Sequence, residues 1–142
     1  TRASLTKPSS REPVSVHRLH SAFAAARQVH KKSVKSGVKW LTDKLAPPMR
    51  ERFGIGFGGR LERQAAHYIP VVRAAGGSLS EALDQMITTR LLRRLQGRHD
   101  LQVDDLQSIF NLLENDWIDK KKAALNAKEL LRGELHRLGA QP

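Results

Sequence analysis

A chain of 142 residues that is 39% apolar has material for one ordinary domain with a modest core. It has no cysteine, which excludes a disulfide framework, a thiolate metal site and a cysteine nucleophile, and fits a reducing compartment. No apolar run approaches the roughly 18 residues of a membrane span and no signal-peptide pattern appears, so a soluble, cytoplasmic protein with no membrane partner is expected. The start at Thr1 in place of Met leaves open a processed or excised piece of a longer chain.

The net charge of +11 lies wholly in the first half: Thr1–Arg73 carries fifteen Lys/Arg against four acids, whereas Ala74–Pro142 balances ten against ten. A one-sided positive field attracts polyanions, with nucleic acid the commonest partner. The plainer alternatives are a solubilising surface or a face that meets an acidic neighbour.

In chain order, residues 1–13 hold two prolines, several Ser/Thr and few large apolar residues, and read as a flexible lead-in. Val16, Leu19, Phe23, Ala26 and Val29 then recur at helical spacing, predicting a first helix that ends near Ser36-Gly37. Val38, Leu41 and Leu45 begin a short second helix, which Pro47-Pro48 is expected to stop; Trp40 lies one position off its stripe. A turn over Met49–Phe53 runs into a glycine loop, Gly54-Ile55-Gly56-Phe57-Gly58-Gly59.

Leu61, Ala65, Tyr68, Ile69 and Val72 mark a third helix, kinked or split at Pro70 and ended by Gly76-Gly77. Ser78-Leu79-Ser80-Glu81 matches the S-x-x-E capping box and starts a fourth, with Leu83, Met86, Ile87, Leu91, Leu92 and Leu95 inward and Gly97 as its left-handed terminus. Asp104-Asp105 place negative charge at the start of a fifth helix, whose stripe is Leu106, Ile109, Phe110, Leu113 and Trp117. A last helix is expected over Asp119–Leu138. No alternating β-branched run occurs, so the fold is predicted to be all-α: a small bundle of five or six helices in a single domain over 14–142, with its lid-like core at 60–138.

Gly54 to Gly59 is a literal G-x-G-x-x-G, but a dinucleotide site needs a preceding strand and a βαβ unit, which this helical pattern does not supply. No P-loop motif is present. His17 and His20 lie i, i+3 on a basic helix, and His30, His67, His99 and His136 are scattered, so no metal site is expected. No nucleophile elbow or carboxylate pair stands out, and no catalytic residue is predicted. Arg27, Lys31, Lys32, Lys35 and Lys39 are candidates for nucleic-acid contact; 27, 31 and 35 repeat every four residues and can follow a phosphate backbone. With aromatic residues only 5%, base stacking has few platforms, and contact to phosphates without sequence readout is expected.

Taken together, Gly59-Arg60, a helix carrying Tyr68, the turn at Gly76-Gly77, Glu81-Ala82-Leu83-Asp84 and the run from Arg90 to Gly97 resemble the C-terminal helical lid of McrB-like AAA+ NTPases of restriction and phage-defence systems. The likeness covers about a third of the chain. It departs where Arg93 replaces a proline and where a Gly pair precedes Arg60. The resemblance implies that Arg60, with Arg63 as a rival on the same turn, is a nucleotide-sensing arginine, and that Gly54, Gly56, Gly58 and Gly59 form a hinge. It also implies an AAA+ core domain or neighbouring subunits as partners. The chain alone would bind no cofactor; joined to such a core, it would meet ATP or GTP with Mg. Two readings stand: a noncatalytic AAA+ lid, and an independent basic helical module that contacts nucleic acid.

Overall fold

The computed structural model describes residues 16–139, with the backbone alone for Val16, His17, Leu19, Phe23, Arg27 and Gly58. The lead-in expected over residues 1–13 lies outside the described residues. Among the described residues there are six helical bodies and no strand. They are α1, Val16–Val29; α2, covering 31–53; α3, Gly58–Ala74; α4, covering 79–95; α5, Val103–Asn115; and α6, Leu125–Arg137. The all-α bundle predicted from the periodicity is the fold observed.

The first break falls at His30, not at Gly37. His30 leaves helical geometry (φ −105°, ψ 27°), yet its amide still reaches the Ala26 carbonyl at 3.0 Å and its carbonyl accepts from Val34 at 3.1 Å, so the ladder bends without ending. Gly37 is buried inside α2. A Cβ there would stand 2.7 Å from Cδ1 of Ile69 and 3.2 Å from Cδ1 of Leu79, so this glycine is a contact that lets α2 lie close against α3.

Pro47-Pro48 does not stop α2 either. Its first stretch, Lys31–Trp40, opens into a π turn at Leu41–Leu45, where the Ala46 amide bonds the carbonyl of Leu41 five residues back. A second α-helical stretch, Ala46–Phe53, then begins with the prolines in its first turn, where a missing N–H costs no ladder bond. The π turn thus resets the ladder just ahead of residues that could not have continued it. α2 closes at Gly54 with φ +69°, its amide on Arg50 O at 3.0 Å and that of Ile55 on Met49 O at 3.1 Å.

Of the expected kink or split at Pro70, the split does not occur: α3 is one helix from Gly58 to Ala74. The cost is one ladder bond, and burial of Leu61, Ala65 and Ile69 on its inner face outweighs it. α4 starts with the predicted capping box: Ser78 Oγ accepts from the Glu81 amide at 3.1 Å, and Glu81 Oε1 accepts from the Ser78 amide at 2.9 Å. That bond holds the exposed Glu81 carboxyl below its ordinary range, with help from the Ser78 hydroxyl and Lys122. The helix then widens into a π turn at Ile87–Leu91 and tightens into a 3₁₀ turn at Leu92–Leu95, ending at Gly97 with φ +73°.

α6 starts six residues later than expected. Asp119 Oδ1 takes up the Lys121 amide at 2.9 Å, which turns the chain, and the cap comes from another helix. Asp84 of α4, only 5% exposed, accepts from the amides of Asn126 at 2.9 Å and Ala127 at 2.8 Å. A carboxylate buried there has its oxygens satisfied by the first free amides of the helix and in turn stabilises the positive end of that helix.

One apolar cluster joins α2 through α6. Within it Trp40 and Trp117 meet edge to face, 4.9 Å between ring centroids. Each indole is satisfied: Trp40 Nε1 donates to the Asp116 carbonyl at 2.9 Å, and Trp117 Nε1 to Ser80 Oγ at 2.8 Å. The stripe predicted for the fifth helix lies inward, with Leu106, Ile109, Phe110, Leu113 and Trp117 buried, and Leu131 and Leu135 of α6 are buried with it.

Candidate functional site

The first turn of α3 and the irregular end of α4 face one another across an open cleft of about 320 Å³. From the loop and α3 come Gly56, Phe57, Arg60, Leu61 and Gln64; from α4 come Thr89, Arg90, Leu91 and Arg94. Three of these are arginines and none is acidic. Arg60, Arg90 and Arg94 are exposed, and none hydrogen-bonds or ion-pairs with another described residue.

The local architecture explains why they converge. Leu61 and Leu91 are buried on either side and hold the cleft walls at a set spacing. Ile55 is buried and Phe57 packs against the core, so the glycine loop is pinned between α2 and α3. Of its glycines Gly54 takes a positive φ; Gly56 and Gly59 do not. On the α4 side, the carbonyls disturbed by the π turn are taken up by hydroxyls, Thr88 Oγ1 on Asp84 O and Thr89 Oγ1 on Gln85 O, both at 2.7 Å. Such bulges inside α-helices concentrate at functional sites, and here one carries Arg90 to the rim.

The N-terminal end of α3 opens at the same place. Its N-cap, Phe57, makes no side-chain cap bond and its first turn holds no acid, so the positive end of a 17-residue helix is uncompensated there. Arg63 lies on the next face. It lines a wider depression with His67, Tyr68 and Val71, continuous with the cleft through Arg60, Gln64 and Arg90. A Cβ on Gly59 would stand 3.0 Å from Nη1 of Arg63, so the bare glycine leaves room for that guanidinium over the first turn.

A polar network anchored on the buried Glu134 sets the end of α4. Glu134 of α6, 8% exposed, accepts from the Gly97 amide at 3.2 Å and from Arg137 Nη2 at 2.8 Å. Arg98 Nη1 reaches the Phe53 carbonyl at 3.4 Å while its other nitrogens bind Asp100 at 2.9 and 2.6 Å. The Arg98 guanidinium holds the Asp100 carboxyl below its ordinary range, and the same bond raises Arg98. The end of α2, the turn after α4 and the end of α6 are thereby tied together.

The predicted lysines lie elsewhere. Lys31, Lys32, Lys35 and Lys39 are all exposed along α2 and none pairs with a described residue. Lys31 borders a groove with Ala24, Gln28, Val34 and Ala66. The side chain of Arg27 lies outside the described residues. Among the described residues no group of three His, Asp or Glu is placed to hold a metal ion, and no helix is long and apolar enough to cross a membrane.

Arg90 and Arg94 are the residues that sequence reasoning did not assign to the site. Their i, i+4 spacing was visible, but nothing local links them to an arginine thirty residues earlier.

A family model described as a domain of unknown function, DUF8727, matches residues 14–137. The chain belongs to this family. The matched DUF8727 segment spans α1 to α6 and includes every cleft arginine. No curated protein and no solved structure matches the chain.

Proposed function

We propose that this DUF8727 domain is a noncatalytic helical lid for a AAA+ NTPase, presenting arginine charge to the phosphates of ATP or GTP bound by a partner α/β core in a DNA-restriction or phage-defence system. The observation that carries the reading is Arg60: exposed and unpaired on the first turn of α3, it stands in a cleft that contains two further arginines and no acid. Guanidinium groups bind phosphate oxygens bidentately and keep their charge at any working pH. The described residues fit the phosphates and offer no carboxylate cluster for Mg²⁺, so the metal would be held by the core. Charge brought to a transferring phosphoryl group from outside the nucleotide pocket lowers the barrier without any covalent step by the lid.

The test pairs this chain with an α/β NTPase core encoded in the same reading frame or beside it. Arg60→Ala should cut the hydrolysis rate on the order of 100-fold or more while nucleotide binding is retained. An unchanged rate, or the absence of any Walker A motif in that neighbourhood, would defeat the reading.

A second reading rests on α2. Lys31, Lys35 and Lys39 share one face over about 12 Å of helix axis, with Lys32 beside them, all exposed and unpaired. Such a row contacts a nucleic-acid backbone without reading sequence. Duplex DNA binding should weaken steeply with salt, and replacing Lys31, Lys32 and Lys35 by Ala should flatten that slope. Absence of binding at low ionic strength sinks this alternative.

A further inference from the structure

We infer that Arg90 and Arg94 complete the Arg60 site, and that the cleft receives the terminal phosphates of a nucleoside triphosphate whose nucleoside is held elsewhere. The inference rests on the phosphate reading of Arg60 and extends it to two residues on a different helix and to a definite part of the ligand.

Three observations specify the ligand. The first is charge: three fixed cations line one concavity with no carboxylate among the lining residues, so a dense anion is the complement. An arginine kept for folding is normally paired or laid over a partner, as Arg52, Arg98 and Arg137 are with Asp105, Asp100 and Glu134. The cleft arginines have no such partner, and their exposed guanidinium groups retain all their donors.

The second is size. At about 320 Å³ the cleft lies at the lower end of the usual range of ligand sites, about 300–1,000 Å³. That volume matches a short phosphate chain; a base and ribose would have to extend into the adjoining depression at His67, Tyr68 and Val71. The polar lining agrees: Gln64 and Thr89 accompany the arginines, and the walls offer Phe57 as their sole aromatic ring.

The third is position. The cleft opens at the uncompensated N-terminal end of α3, which adds favourable potential for an anion to that of the guanidinium groups. Arg90 leaves α4 from its π turn and Arg94 from its 3₁₀ turn, so both rise from backbone whose geometry is fixed by burial of Leu91, Leu92 and Leu95. Arg93, exposed on the same 3₁₀ turn, does not line the cleft and serves as an internal control.

The experiment titrates the isolated chain with inorganic tripolyphosphate at low salt by calorimetry, comparing wild type with Arg60→Ala, Arg90→Ala, Arg94→Ala and Arg93→Ala. Wild type should bind, each of the three cleft variants should weaken binding about tenfold or more, and Arg93→Ala should stay within about twofold. ATP should bind no better than tripolyphosphate, and adenosine should not compete. No binding by wild type overturns the inference. So does an equal loss in Arg93→Ala, which reports a diffuse polyanion field, and so does tenfold tighter binding of ATP, which would require a nucleoside pocket. If tripolyphosphate does not bind while Arg60→Ala still slows the assembled NTPase, this inference fails alone. If it binds and hydrolysis is indifferent to Arg60, the lid function fails and the cleft stands.

Discussion

Charge is handled in opposite ways on the two sides of α4. Toward α6, carboxylates are partnered: Asp84 caps a helix, Glu134 holds the Gly97 amide and Arg137, and Glu114 meets Lys128 at 2.6 Å. Toward α3, Arg60, Arg90 and Arg94 gather without a counterion. The contrast separates charge that holds the fold from charge left available. A buried carboxylate must be satisfied or the domain loses stability, whereas an exposed guanidinium is solvated and costs little while it waits for an anion.

The sharpest way to break the comparison is at Asp84. Asp84→Ala leaves the amides of Asn126 and Ala127 without their acceptor, and should cost about 2–4 kcal/mol in urea unfolding. Asp84→Asn, which keeps one accepting oxygen, should recover part of that. A loss below about 0.5 kcal/mol would remove Asp84 from its capping role. Next comes the capping box. Ser78→Ala removes the hydroxyl that accepts from the Glu81 amide and should lower stability by about 1 kcal/mol by the same measurement, with tripolyphosphate binding unchanged.

Acid should act more weakly. The carboxyls of Glu81, Asp100 and Glu114 are all held below their ordinary values, chiefly by hydrogen bonds from the Ser78 backbone, Arg98 and Lys128 respectively. A folded-state value below the unfolded one contributes stability above the unfolded value and loses it as pH falls through the folded value. The urea midpoint should therefore hold above the ordinary carboxylate range of about 4 to 4.5 and decline below it. Glu81→Gln should flatten part of that decline; an unaltered acid profile would show that the Ser78–Glu81 bond has no share in it.

The smallest effect is expected at the cleft. Arg60→Gln and Arg94→Gln should change stability by no more than about 0.5 kcal/mol, because neither side chain has a partner to lose. A loss comparable to that of Asp84→Ala would mean that these arginines belong to the folding framework, and the contrast between the two sides would collapse.

Most of the fold was legible from local signals. The capping box at Ser78 and Glu81, the acidic first turn at Asp104-Asp105, the glycine terminus at Gly97 and the inward stripes all act within a turn or two of helix. The misplaced boundaries share one cause. Gly37 and Pro47-Pro48 are stop signals on the chain, but here Gly37 is a packing contact with Ile69, and a π turn resets the ladder before the prolines. The late start of α6 belongs with them, since its cap is a carboxylate some forty residues earlier. The candidate site was half legible: Arg60 stood out beside its glycines, while Arg90 and Arg94 entered only as part of the Arg90–Gly97 segment of the lid resemblance, with no role of their own.

By itself, then, the sequence determined the helical class, the places where most helices begin and end, and an excess of positive charge in the first half. Those depend on interactions between residues close along the chain. Which charges are spent and which are free was decided by the tertiary structure alone. The contacts of Asp84 with the start of α6 and of Glu134 with Gly97, and the meeting of Arg60 with Arg90 and Arg94, span some thirty to forty residues and arise only when the apolar stripes of α3, α4 and α6 pack together.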